Sequence, residues 1–257
     1  MDAGRDIVRP VTDLTAAARG DLAPTGTLRA GINYGNFILA TRDPATGQPR
    51  GVAVDLLEDL GRRLGVPATV VAYDTVAAMV DAAPSGAWDV AFLGSDPARE
   101  KVMAFTAAYL EIEATYLVPA GSRLRAAAEV DAAGVRVAAP ARANYELYLG
   151  RHLRHAQLVS TASAEAAFEL LATGKVDALA GLRQGLLDQV DRLPGSRLVD
   201  GRFMAVQQSI AVPRGRDAGL AFLRAVVEEA KASGLVARAI ARTGARGVSV
   251  APAADIA

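Results

Sequence analysis

Apolar residues along the chain fall into short β-type runs that alternate with segments of helical spacing. Between Ala53 and Leu64, Val54, Leu57, Leu60 and Leu64 recur on one face while Glu58, Asp59, Arg62 and Arg63 take the other, which predicts an amphipathic helix. Gly65-Val66-Pro67 stops it. Around this helix the pattern predicts strands over 27–32, 68–73 and 90–93, with a short helix over 76–83 and a hairpin-type turn at Asp43-Pro44-Ala45-Thr46-Gly47. Leu117 to Pro119 closes this unit. A second alternation then begins: a strand over 134–139, a helix over 145–155, a strand near Leu158, a helix over 164–173 and a strand over 176–180. The last helix, over 218–233, carries Leu220, Leu223, Val226 and Val227 on one side and ends at Gly234. Strands alternating with helices through short loops predict parallel sheets with crossover helices. Two such units joined by an extended stretch predict two lobes flanking a cleft.

Two loops carry the candidate chemistry. The strand 90–93 runs into Gly94-Ser95-Asp96-Pro97-Ala98-Arg99, where Pro97 suits the first turn of a helix and Ser95 or Asp96 its cap. That places Arg99 and exposed N–H groups at the carboxyl end of a strand, where open α/β sheets bind ligands, and a guanidinium matches a carboxylate in bidentate geometry. The alternative is an ordinary strand-loop-helix with a solvated arginine. The first strand runs into Asn33-Tyr34-Gly35-Asn36-Phe37, read either as a pocket wall of amide and aromatic groups or as a turn with an aromatic plug.

Composition narrows the function. The 257 residues are 51% hydrophobic and 22% charged, with 28 Lys+Arg against 28 Asp+Glu, so no net field favours nucleic acid or an acidic membrane. There are no cysteines, which excludes disulfides and thiolate chemistry. The two histidines, His152 and His155, sit among arginines in a basic helix that would repel a cation. Neither metal nor cofactor is expected. No run reaches a membrane span, and residues 1–25 lack the apolar core of a signal peptide. They read as an adaptable N-terminal arm with room for one short helix. The expected location is cytoplasmic if Met1 is the native start and periplasmic if a leader was removed.

In order and spacing, Gly51-Val52-Ala53-Val54-Asp55-Leu56, Trp88-Asp89-Val90-Ala91, Arg99-Glu100-Lys101 with Phe105-Thr106-Ala107-Ala108-Tyr109, Gly134-Val135-Arg136-Val137, Gly174-Lys175-Val176-Asp177-Ala178 and Lys231-Ala232-Ser233-Gly234 resemble the extracellular solute-binding proteins of family 3. These are the two-lobed receptors of polar amino-acid ABC transporters. The resemblance covers about residues 26–245. It implies a type II periplasmic-binding-protein-like fold, α/β, with two hinge strands near 111–117 and 206–212 that close the lobes on a ligand. The implied division is lobe one at 26–112 plus 207–257 and lobe two at 113–206, after the arm at 1–25. The family's carboxylate-binding arginine falls on Arg99 and its polar-aromatic first loop on Asn33, Tyr34, Asn36 and Phe37.

Several positions depart from the amino-acid-binding pattern. Gly94 stands where a threonine or serine is usual, with Ser95 and Asp96 beside it. The second-lobe loop reads Pro140-Ala141-Arg142-Ala143-Asn144, and Gly181-Leu182-Arg183-Gln184 replaces the region of the ammonium-binding aspartate. The expectation is that Arg99, Arg142 and Arg183 converge on an organic acid with two anionic groups in preference to a zwitterion, because a buried ammonium without a counter-ion is costly. Open alternatives are a solvent-facing Arg142, an Arg183 paired with Asp188 or Asp191, and an acidic subsite restored by Asp89, Asp96 or Glu113. The reading is a binding protein for a small carboxylate, with an ABC permease as partner if exported. The alternative is a cytoplasmic dehydratase-like or lyase-like enzyme on the same scaffold with Glu113 and Asp96 as acid-base candidates; a third is a sensor module without a transporter.

Overall fold

The computed structural model describes residues 11–254. The chain order is helix α1 (Val11–Leu22), strands β1 (Leu28–Asn33), β2 (Thr41–Arg42) and β3 (Pro49–Arg50), helix α2 (Val52–Leu64), strand β4 (Ala68–Tyr73), helix α3 (Val76–Asp81), then strands β5 (Val90–Gly94), β6 (Met103–Phe105) and β7 (Leu110–Val118). There follow β8 (Arg136–Pro140), α4 (Asn144–His152), β9 (Gln157–Thr161), α5 (Ala164–Ala172), β10 (Ala178–Leu182), α6 (Arg183–Val190), β11 (Arg197–Leu198), β12 (Met204–Pro213), α7 (Asp217–Ala232), α8 (Leu235–Thr243) and β13 (Val248–Val250).

The main sheet runs β4-β1-β5-β12-β7-β10-β8-β9. At one end β4, β1 and β5 are parallel, and at the other β10, β8 and β9 are parallel. Between them lie two antiparallel strands that belong to both ends. β12 pairs with β5 through residues 208–211 and with β7 through 204–208, while β7 goes on to pair with β10 through 114–117. This is the two-lobed α/β fold with β7 and β12 as its hinge strands. Apolar packing divides accordingly. Ile32, Leu56, Leu60, Phe92, Leu223 and Val227 belong to one cluster and Trp88, Met79 and Leu93 to another around the first set of strands. Val137, Ala139 and Leu149, and Phe168, Leu171 and Leu186, form two clusters around the second.

Three local outcomes differ from the sequence reading. Residues 97–102 form turns and not a helix: the Asp96 carboxylate accepts from the Ala98 N–H, the Asp96 carbonyl accepts from Arg99 and Glu100, and the chain enters β6 at Met103. Eight residues, 95–102, separate the two strands, and the bonds made by Asp96 close them into turns. The arm at 1–25 is not adaptable in its described part, because Ala18 and Leu22, four apart on α1, are fully buried in the first lobe's core; residues 1–10 lie outside the described residues. The strand expected at 176–180 begins at Ala178, since Asp177 spends its carboxylate on the Arg136 N–H and guanidinium.

Candidate functional site

The carboxyl ends of the parallel strands of both lobes face one another across a cleft. β1 delivers Asn33, β4 leads to Asp74, and β5 ends at Gly94; from the opposite side β8 ends at Pro140, β9 leads to Ser163, and β10 ends at Leu182. These residues, with Asn36, Phe92, Asn144, Tyr145 and Gln208, line a cavity of about 250 Å³. A second chamber of about 340 Å³ continues from it past Asn36 and Tyr145 to Phe37, Gly181, Leu186, Asp188 and Gln189. Thr75 caps α3 by accepting from the Ala78 N–H, which holds the Asp74 loop at the cavity wall.

Arg99 lies behind this wall and is only 5% exposed. One guanidinium nitrogen donates to the Gly94 carbonyl at 2.6 Å and to Asn144 Oδ1 at 2.5 Å, and the other donates to the Arg142 carbonyl at 2.8 Å. All three acceptors are uncharged. Among the described residues no carboxylate forms an ion pair with Arg99, because Asp96 is committed to Arg151 at 2.8 Å. Burial pulls the Arg99 pKa down to about 10, against the field of Asp96 that raises it; the guanidinium is therefore still a cation at neutral pH. Two of the three acceptors belong to the second lobe, so the side chain bridges the cleft. Asn144 completes the bridge by donating to the Ser95 carbonyl at 2.8 Å.

The structure does not bring the three expected arginines together. Arg142 holds a left-handed backbone, φ 64°, and its side chain pairs with Asp81 at 2.8 and 2.7 Å across the cleft rim. The Arg142 guanidinium lowers the Asp81 pKa, and Asp81 raises that of Arg142. Arg183 opens α6 and pairs with Glu113 at 2.5 Å and with the Gly201 carbonyl, not with Asp188 or Asp191. Neither arginine lines the cavity. The physical reason is that each found a carboxylate from a distant segment, which a linear sequence does not display. A dianion held by three guanidiniums is accordingly corrected.

The remaining expected residues divide. Asn33, Asn36, Gly94 and Asn144 line the main cavity and Phe37 the second chamber. Tyr34 lines neither and packs on the first core with the Arg42 guanidinium 5.2 Å over its ring. Ser95 offers its backbone carbonyl to Asn144 rather than an N–H to an anion, its own N–H being bonded to the Gln207 carbonyl. Of the carboxylates named as acid-base or acidic-subsite candidates, Glu113 is held by Arg183 and Arg202, Asp96 by Arg151, and Asp89 by Arg29 and Arg216; none lines a cavity. Among the described residues no cluster of His, Asp or Glu is arranged for a metal ion. His152 stacks on Tyr148 at 3.8 Å between ring centres.

Sequence reasoning missed Asp74, Gln208, Ser163 and Tyr145. The signal for Asp74 and Ser163 was present, since both lie in the two-residue link between a strand and the next helix, the position where such sheets bind ligands. Gln208 is the middle of the polar run Gln207-Gln208-Ser209 in hinge strand β12. Its Oε1 and the Oδ1 of Asn36 are buried without a hydrogen-bond partner among the described residues.

A model of the bacterial extracellular solute-binding proteins, family 3, matches residues 28–243. No curated protein matches the sequence. Among solved structures, a mutant of ArgBP from T. maritima superposes with TM-score 0.71 at 23% identity, covering 88% of this chain and 98% of that one. The amino acid ABC transporter substrate-binding protein AbpA from Streptococcus pneumoniae, bound to L-arginine, gives 0.72 at 18% identity over 86% and 95%. The periplasmic VFT2 domain of Bordetella pertussis BvgS gives 0.72 at 20% identity over 88% and 97%.

Proposed function

Because this chain belongs to the bacterial extracellular solute-binding proteins of family 3, we propose that it captures a small carboxylate-bearing, amino-acid-like solute in the cleft by closing the lobes about β7 and β12. The observation that carries this reading is Arg99: a buried cation whose acceptors are all neutral, directly behind the cavity wall. Burying a guanidinium without a carboxylate is costly, and a solute carboxylate supplies the missing charge. The opposite wall suits donors. Among the described residues Asp74 is the one carboxylate on the main cavity, and Asn36 and Gln208 add amide groups to its lining. This pairing of a cationic seat with acceptors favours an amino acid over a second anionic group.

The lobes in this reading are residues 26–112 with 207–257, and 113–206, supported by apolar clusters that separate except at the hinge strands, where Ala114 and Val206 join the first lobe's cluster. The working place is outside the cytoplasm, as the family's description says, with an ABC permease receiving the solute; AbpA is described as such a transporter's receptor. Among the described residues no helix is long and apolar enough to cross a membrane.

The test is a thermal-shift screen of the twenty amino acids beside malate and succinate, repeated with the decarboxylated amine of each binder. A ligand present at 100 times its Kd stabilises by about 2.7 kcal/mol, a clear rise in Tm. The expected result is a rise with at least one amino acid and none with its amine. Equal rises with acid and amine contradict the reading.

A further inference from the structure

Resting on the carboxylate reading above, we propose that Asn144 is a built-in occupant of the anion seat on Arg99, which a solute must displace and which thereby sets affinity. The Asn144 carboxamide spans the two lobes: its oxygen accepts from Arg99 at 2.5 Å and its nitrogen donates to the Ser95 carbonyl at 2.8 Å. A carboxamide is the neutral isostere of a carboxylate, so it presents to the guanidinium the same oxygen geometry without the charge. Arg99 itself does not line the cavity, whereas Asn144 and Gly94 do. A carboxylate in the cavity therefore meets Asn144 before it meets Arg99.

Gly94 is what admits this occupant. A Cβ built on Gly94 falls 2.6 to 2.7 Å from Oδ1, Cγ and Nδ2 of Asn144, so any side chain there expels the carboxamide. Gly94 has no left-handed φ, and its backbone accepts a side chain without strain. The three atoms nearest such a Cβ all belong to the movable end of Asn144. Asn144 is the first residue of α4, after the loop in which Arg142 turns left-handed and presents its carbonyl to Arg99. The neighbouring contacts Arg142–Asp81 and Arg151–Asp96 join the same two faces. The carboxamide thus sits at the centre of an interlobe clasp made of the chain's own groups. Exchange of a neutral acceptor for a carboxylate favours the solute, since a carboxylate adds the Coulomb attraction that the neutral carboxamide does not offer to the buried guanidinium. The clasp reduces the apparent affinity to the intrinsic affinity multiplied by the fraction of molecules in which it is open.

The experiment compares wild type with Asn144→Ala, Asn144→Asp and Gly94→Ser. Titration calorimetry uses the strongest binder from L-arginine, L-glutamine and L-glutamate, and small-angle scattering records the radius of gyration before solute is added. Asn144→Ala and Gly94→Ser should each bind at least fivefold tighter and show a larger radius than wild type, because the seat is freed and the clasp is cut. Asn144→Asp, which tethers a carboxylate on Arg99, should lose binding at least tenfold while keeping the wild-type radius. Weaker binding by Asn144→Ala with an unchanged radius overturns the proposal and makes Asn144 a direct ligand of the solute. If none of the three amino acids binds any variant, the capture reading fails for them; the radii still decide the clasp, which an unchanged value in both Asn144→Ala and Gly94→Ser overturns.

Discussion

Asp89 has no exposed surface and accepts from the Arg29 backbone and guanidinium, with a fourth contact at 3.4 Å from Arg216. Here a buried carboxylate is fully paired, in contrast to Arg99, which is buried with neutral partners. Arg29 and Arg216 keep 28% and 22% of their side-chain surface exposed, so removing Asp89 loses its charge-assisted hydrogen bonds, about 1.5–3 kcal/mol, and does not strand a buried cation. Asp89→Ala is therefore expected to lower unfolding free energy by that amount in a urea titration, with solute binding retained by the molecules that fold. From the sequence, Asp89 reads only as the polar boundary of a strand. Its partners lie 60 and 127 residues away, and nothing in the linear pattern points to them. The same limit hid the partners of Arg142 and Arg183. Arg99 was legible because its place is set locally, by a strand that ends in glycine five residues earlier.

At the scale of elements, α2 shows how closely local sequence and tertiary packing agree. Its apolar stripe is visible in the sequence, and its end is closed by Gly65 in the left-handed conformation. Its start depends on Gly51, whose φ of 138° with ψ of 176° is open essentially to glycine alone, and a Cβ there would lie 2.4 Å from the Leu39 carbonyl oxygen. Strain of that kind costs about 1–3 kcal/mol, and forcing two backbones apart adds about 1–3 kcal/mol more. Gly51→Ala is expected to reduce stability by about 2–6 kcal/mol in chemical denaturation, and a change below about 0.5 kcal/mol would count against this packing. Elements with strong periodicity, such as α2, β4 and α7, were legible nearly to their ends. The turn at 97–102 was not, because the presence of Pro97 after a capping residue signals a helix without showing that the chain must re-enter a strand at Met103. Helix α6 follows directly on β10, and only two residues separate α8 from α7, so no run of loop residues announces them.

Over the whole molecule, the two lobes were legible as a pattern that stops and restarts, and the hinge as the extended stretches on either side of the second unit. The cleft's electrostatics were not. Charge counted along the chain predicted three cations at the ligand, but Asp81 and Glu113 arrive from other elements and neutralise two of them. What remains is one buried guanidinium behind a cavity whose walls are amide, hydroxyl and apolar, with Asp74 at one side. The central claim is that this guanidinium is the seat of a solute carboxylate. The direct measurement is calorimetric titration of the best amino-acid binder into wild type and Arg99→Ala, with the fold of both checked by circular dichroism. Charge-assisted hydrogen bonds contribute about 1.5–3 kcal/mol, so the account predicts at least a tenfold weaker Kd in Arg99→Ala, and an unchanged Kd would contradict it.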